Sequence, residues 1–305
     1  MTNVKKGVLW VLTSALAYSM FTVFAKKILE QIRPTDVLFW RFTIAAPIAW
    51  AVVLVRRRAG HGPRPMEVAW KPRFAMGLLF GLLAWLAFVG IDNLPGALYV
   101  VIIYTYPALV AIGARILGKP ASRQIWVAIA ITTFGIVLTV PEVLNSPGDS
   151  ALFGMVITLG NATLYAGYIL YSERIVNDTR GGAHAGDSFL AAAWGMTGSL
   201  VVATVLAIAS GGVHAPRGVV GIGSMIGLAT VSTVLAGTTF FLGVRRLGPA
   251  PAALVAASEP VMALTWLVIF LGESLVPVQI AGAILVIVGV VWSQRGPMKQ
   301  TVTSG

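Results

Sequence analysis

The length of the apolar runs constrains this chain more than any other feature. Ten stretches of roughly twenty mostly apolar residues follow one another at 7–29, 36–55, 73–91, 96–117, 122–140, 151–172, 187–209, 218–243, 249–271 and 277–293. Short loops such as "RRRAGHGPRP", "NSPGDS" and "NDTRGGAHAGD" separate them. A helix of that length matches the hydrocarbon thickness of a bilayer. In lipid a helix also satisfies its own backbone hydrogen bonds. The expected fold is an all-α integral membrane protein with ten transmembrane helices. Composition agrees, because 57% of residues are hydrophobic and only 11% are charged, whereas a soluble domain carries about 25% charged residues. Ala15-Leu16-Ala17 resembles a signal-peptidase site, but the apolar run continues to Leu29 and has a counterpart later in the chain. It is therefore read as a retained span.

The net charge of +11 would suggest nucleic acid as partner in a soluble protein. Here the charges cluster in short loops, and nothing resembles a helix-turn-helix, a zinc finger or an RNA-binding sheet. With the N-terminus in the cytoplasm, seventeen Lys and Arg residues fall inside and four outside, with Arg41 within a span. This positive-inside bias predicts that both termini are cytoplasmic. Cysteine is absent, and His61, His184 and His214 sit in polar loops without ligand spacing, so no metal is expected. "GIGSMIG" is not a Gly-x-Ser-x-Gly elbow, and no Gly-rich loop ends in Gly-Lys-Ser or Gly-Lys-Thr. No enzyme activity, cofactor or nucleotide is expected, which leaves transport driven by a gradient of substrate or of protons.

The two halves of the chain repeat. "GVLWVLTSALAYSMFTVFAKKI" from Gly7 aligns without a gap on "GMVITLGNATLYAGYILYSERI" from Gly154. Further on, "FVGIDNLPGA" aligns on "FLGVRRLGPA", and Pro107 falls on Pro260. The expected division is a five-helix repeat at 1–145, a second at 146–298, and a polar tail at 299–305. An odd number of helices per half makes the second repeat inverted in the membrane, as in many secondary transporters. Gly77-x-x-x-Gly81 and Gly223-x-x-x-Gly227 read as small-residue faces for close helix packing rather than as part of the repeat.

These features carry a resemblance. "FWRFTIAA" at Phe39–Ala46, the repeated halves, Glu259-Pro260, Leu271-Gly272-Glu273, Gln279, Gly282 and Gly289 follow the pattern of EamA-type transporters of the drug/metabolite transporter superfamily. The first half departs from it, with Tyr106 where Glu259 stands and Lys119 where Glu273 stands. Within the family the chain most resembles the YddG-type aromatic amino acid exporters of bacterial inner membranes. The resemblance implies amino acids, aromatic ones included, as substrates. An efflux carrier for drugs or other metabolites on the same fold is the alternative. A non-transporting intramembrane enzyme or sensor is a more distant one.

Several residues stand out as site candidates. Glu259 lies near the middle of an apolar run, where a charge costs about 2.5–3.5 kcal/mol on insertion scales. It either holds the ammonium of a substrate or a proton, or is a structural acid bonded to its neighbours. Pro260 after it, and Pro107 at the matching place, are expected to kink their helices. Arg41 either meets a substrate carboxylate or snorkels and braces a helix. Ser14 and Tyr18 share one helix face; Asn161 and Tyr165 share the equivalent one, with Tyr168 three residues on. Tyr99 and Tyr106 line a face of the fourth run, and Trp85 and Thr238 are expected to complete the wall. A mostly apolar pocket with a few placed polar groups suits such a set, although Tyr and Trp near span ends also mark the membrane interface. Gly272-Glu273 reads as a helix C-cap and loop.

Overall fold

A computed structural model describes residues 3–94, 96–119, 121–139, 151–178, 186–271 and 276–293. Among them every regular element is helical and none is a strand. In chain order these are α1 (Asn3–Ser19), α2 (Phe21–Leu29), α3 (Pro34–Arg58), α4 (Trp70–Asn93), α5 (Gly96–Ile103), α6 (Tyr106–Ile116) and α7 (Arg123–Thr139). They continue with α8 (Ala151–Val176), α9 (Ser188–Ala209), α10 (Gly218–Ala229), a π-helical turn (Thr230–Leu235), α11 (Ala236–Leu247), α12 (Pro249–Ala256), α13 (Glu259–Leu271) and α14 (Pro277–Ser293).

Six rods are long and apolar enough to cross a bilayer: Asn3–Leu29, Pro34–Arg58, Trp70–Gly90, Leu152–Val176, Ser188–Ala209 and Gly218–Leu247. Shorter apolar helical stretches cover Val101–Ile116, which is broken between α5 and α6, and Arg123–Thr139 and Pro277–Ser293. The run at 249–271 holds α12 and α13. The flanks of the bundle are oily: Val219 is 89% exposed, Ile116 80% and Leu152 70%. Apolar surface on this scale requires lipid rather than water as its solvent, so the chain is a multi-pass membrane protein.

Local signals set the helix ends. Asp187 caps α9 by accepting from the backbone amides of Phe189 and Leu190, both at 2.9 Å, and Arg56 pairs with the same carboxylate at 3.1 Å. Gly248 takes a positive φ of 80° after α11 and Pro249 starts α12, the usual order of glycine after one helix and proline at the start of the next. Arg33 bonds to Asp36 (3.1 Å) and to the carbonyls of Ser210 (2.7 Å) and Gly212 (2.8 Å). It thereby ties the corner between α2 and α3 to the loop after α9.

Both expected proline kinks are full interruptions. α5 ends at Ile103 and α6 restarts at Tyr106-Pro107; α12 ends at Ala256 and α13 restarts at Glu259-Pro260. Each proline sits in the first turn of the restarted helix, where its missing N–H costs nothing. The chain also breaks between α1 and α2, and the π turn divides α10 from α11.

Glycine seams bring the helices together. A Cβ at Gly282 of α14 would lie 2.6 Å from the Gly135 carbonyl oxygen and 2.8 Å from the Thr139 amide of α7. Gly77 and Gly81 of α4 abut Gly195, Ser199 and Val202 of α9, and the Ser199 hydroxyl donates to the Gly77 carbonyl at 2.8 Å. The Gly223-x-x-x-Gly227 face behaves differently from expectation. Gly227 receives the ring of Phe24, but Gly223, one turn earlier, faces open space. Gly272, Glu273, His184 and the tail at 299–305 lie outside the described residues.

The seams make a direct prediction. Gly282→Leu should destabilise the protein by about 1–3 kcal/mol through overpacking, read as a lower thermal unfolding midpoint in detergent. Gly160→Leu, where a Cβ meets nothing within 4 Å, should leave the midpoint unchanged. Equal midpoints for the two variants would contradict the packing of α7 on α14.

Candidate functional site

Glu259 opens α13 at the interruption and is half-buried. The Tyr104 side chain faces its carboxylate. Tyr18, Tyr99, Tyr104, Tyr106 and Tyr165 all have Glu259 as an electrostatic neighbour. Four of the expected site tyrosines therefore gather around the one acid.

The rings form a continuous ladder. Tyr104 and Tyr106 lie 5.9 Å apart between centroids, Tyr106 meets Tyr165 edge-on at 4.9 Å, and Tyr165 stacks on Tyr168 at 6.0 Å. Tyr168 continues to Phe80 at 5.3 Å and Phe241 at 6.4 Å. The helix break explains Tyr104, which the sequence reading does not single out. In an unbroken helix residues two apart point to nearly opposite sides. The break after Ile103 puts Tyr104 and Tyr106 on the same cluster. Tyr106 also donates its hydroxyl to the Ala253 carbonyl at 3.2 Å, tying the first interrupted helix to the last turn before the second interruption.

Arg41 is 6% exposed. Its Nε donates to Thr233 Oγ1 at 2.8 Å and its Nη2 to the Ser232 carbonyl at 3.4 Å. The guanidinium lies over the rings of Phe21 and Phe42, at 5.4 and 5.3 Å from their centroids. It braces the π turn, whose irregular backbone frees groups that side chains must take up. Thr233 donates to the Leu228 carbonyl at 2.8 Å and Ser232 to the Ala17 carbonyl at 2.7 Å. Among the described residues no carboxylate pairs with Arg41 and no cation pairs with Glu259. Tyr18 has both charges as electrostatic neighbours.

The other expected residues divide. Ser14 is 1% exposed and donates to the Ala236 carbonyl at 2.8 Å, fastening α1 to α11. Tyr99 lies against Gly90, beside Thr158. Asn161 is buried, and its Oδ1 has no hydrogen-bond partner. Trp85 packs with Leu38, Phe42 and Ala203. Thr238 lines a separate apolar groove of 340 Å³ with Trp10, Ile48, Phe189 and Val234. The structure thus brings Tyr18, Tyr99, Tyr106, Tyr165 and Glu259 together, with Tyr168 next in the ladder and Arg41 a neighbour of Tyr18. It sets Trp85 and Thr238 in other packing groups. Trp266 is a further link, because its indole N–H donates to Ser19 at 2.8 Å at the break between α1 and α2.

An acid at a helix interruption, a braced arginine and a wall of tyrosines can bind a small polar molecule in the membrane interior. Comparison with known proteins identifies the family. The model of the EamA-like transporter family matches the chain twice, over residues 5–140 and 152–294. The uncharacterized transporter YcbK of Bacillus subtilis (strain 168) is 25% identical over 284 residues, covering 90% of this chain and 88% of that protein. The uncharacterized transporter sll1319 of Synechocystis is 23% identical over 228 residues, covering 73% of this chain and 66% of that protein. One crystal structure shares the fold with a TM-score of 0.81 at 16% identity, over 95% of this chain and 96% of its own. The chain belongs to the EamA-like transporter family.

Proposed function

We propose that this transporter exports amino acids, aromatic ones included, across the bacterial inner membrane by alternating access. The reading comprises ten spans in two inverted five-helix repeats, 1–145 and 146–298, with both termini cytoplasmic. The double match of the family model supports the division. So does the pairing of helices: α1 on α11 corresponds to α8 on α4, α10 on α3 to α4 on α9, and α6 on α8 to α13 on α1. α7 and α14, the last helices of the two halves, pack on each other. An arrangement of this kind exposes one central site to each side in turn. The charge asymmetry of the loops supports the orientation.

One observation carries the substrate class. Arg41 and Glu259 are opposite charges within the membrane, neither has a counter-ion among the described residues, and Tyr18 has both as electrostatic neighbours. Uncompensated buried charges are costly, and a zwitterion neutralises both at once. Its carboxylate goes to the free N–H groups of Arg41 and its ammonium to Glu259. Tyr99, Tyr106, Tyr165 and Tyr168 offer ring faces to a bulky side chain, while Ser14 and Asn161 belong to the helices that carry Tyr18 and Tyr165.

Liposomes reconstituted with the protein are expected to take up labelled phenylalanine, with competition from other amino acids. Absence of uptake for all twenty, combined with growth protection against cationic dyes, would replace amino acids by drugs as the substrate class. Glu259→Gln is expected to reduce phenylalanine uptake at subsaturating concentration by about tenfold or more, the value of one charged hydrogen bond. Wild-type uptake in that variant would remove Glu259 from the site.

A further inference from the structure

The two halves pack in matching ways at one seam, and the match breaks at two residues. In the repeat alignment Gly7 corresponds to Gly154, Val11 to Thr158 and Ser14 to Asn161. On the partner helices Gly243 corresponds to Gly90, and Arg246-Leu247 to Asn93-Leu94. The contacts follow suit. Gly7 faces Arg246 and Leu247, and Gly154 faces Asn93 and Leu94. Gly243 faces Val11; Gly90 faces Thr158, whose Oγ1 would lie 2.7 Å from a Cβ there.

On α1 this seam is chemically closed. Val11 is apolar and fully buried, and the Ser14 hydroxyl is used by the Ala236 carbonyl. On α8 the same two positions are polar and open-ended. Thr158 is 0% exposed and Asn161 is 3% exposed, and neither Thr158 Oγ1 nor Asn161 Oδ1 has a partner. Thr13, Thr163, Thr197 and Thr204 turn the hydroxyl back to the carbonyl four residues earlier, whereas the buried hydroxyls of Thr43 and Thr132 do not. Thr158 belongs with the second group, and its oxygen lies toward Gly90, beside the edge of Tyr99. An orphaned buried oxygen carries its full desolvation cost, and the α1 seam shows that the packing does not require it.

We propose that Thr158 Oγ1 and Asn161 Oδ1 form an acceptor subsite that receives N–H groups of the substrate's ammonium. Both oxygens lie on one face of α8, with Asn161 one turn before Tyr165. Tyr165, and Tyr99 beside Thr158, have Glu259 as electrostatic neighbour. Glu259 balances the charge, and the two neutral oxygens fix where the ammonium sits. This rests on the amino acid reading for the identity of the cargo, but its own requirement is narrower: a ligand that brings N–H donors.

The test is thermal unfolding of the full chain in detergent with L-phenylalanine, with phenethylamine, which keeps the ammonium without the carboxylate, and with 3-phenylpropionate, which keeps the carboxylate alone. Phenylalanine and phenethylamine are expected to stabilise the wild type, and 3-phenylpropionate is not. Thr158→Val and Asn161→Ser copy α1 chemistry onto α8. Without ligand they should be no less heat-stable than the wild type, yet each should raise the half-saturating phenethylamine concentration about tenfold. Thr158→Ser and Asn161→Gln retain the oxygens and should retain binding, which separates loss of the subsite from loss of the fold. Unchanged binding in the α1-like pair, stabilisation by 3-phenylpropionate alone, or no stabilisation of the wild type by any of the three overturns the subsite. Phenylalanine uptake into liposomes reports on the export reading separately. Uptake with unaffected variants removes only the subsite; phenethylamine binding that the variants lose, without uptake, removes only amino acid export.

Discussion

A chain dissolved in lipid has no water to satisfy a broken backbone hydrogen bond, so each interruption of a helix must be covered by protein. Three features of this fold follow from that constraint. At the break before Glu259-Pro260 the Ser258 hydroxyl donates to the Val255 carbonyl, and Tyr106 adds a second donor to the Ala253 carbonyl, which also takes the Ala257 amide. The π turn is met by Thr233 and Arg41. The break between α1 and α2 is met by Ser19, which donates to the Leu16 carbonyl and receives the Trp266 indole. Polar side chains inside the bundle thus concentrate where the backbone is irregular. The same places gather the groups able to hold a small molecule.

The glycine seams supply the rigidity that such a site needs. α7 on α14 and α4 on α9 approach closely enough that a single methyl group collides with backbone. Contacts this tight let helices move as fixed pairs rather than deform one by one. The irregular helices between them are held by hydrogen bonds and ring contacts, which exchange more easily than interlocked backbones.

Much of the architecture was legible in the sequence because bilayer thickness fixes the length of a span and lipid fixes its composition. The six clear rods fall on expected runs for that reason. The site was legible in part. Tyr18, Tyr106, Tyr165 and Glu259 stood out as polar groups deep in apolar runs, and they share a neighbourhood. Tyr104 was hidden because helical spacing sets it apart from Tyr106, and only the break reunites them. Trp85 and Thr238 were expected to complete the wall, but side-chain direction depends on each helix's rotation about its own axis. That rotation places Trp85 with Phe42 and Thr238 along an apolar groove. Thr158 gave no signal by itself, since threonine is ordinary in a membrane helix; its meaning comes from the valine at the matching position of the other half.

The π turn at Thr230–Leu235 has one more implication. A regular helix shows its neighbours a single stripe. By widening one turn, this rod offers two stripes that are out of phase: α10 lays its face on α2 and α3, and α11 lays a differently rotated face on α1, α8 and α9. A helical-wheel drawing of 218–247 as one cylinder therefore smears both faces into a uniform oily surface. Read as two cylinders joined at residues 230–235, the same segment resolves into an adaptor between separate groups of neighbours.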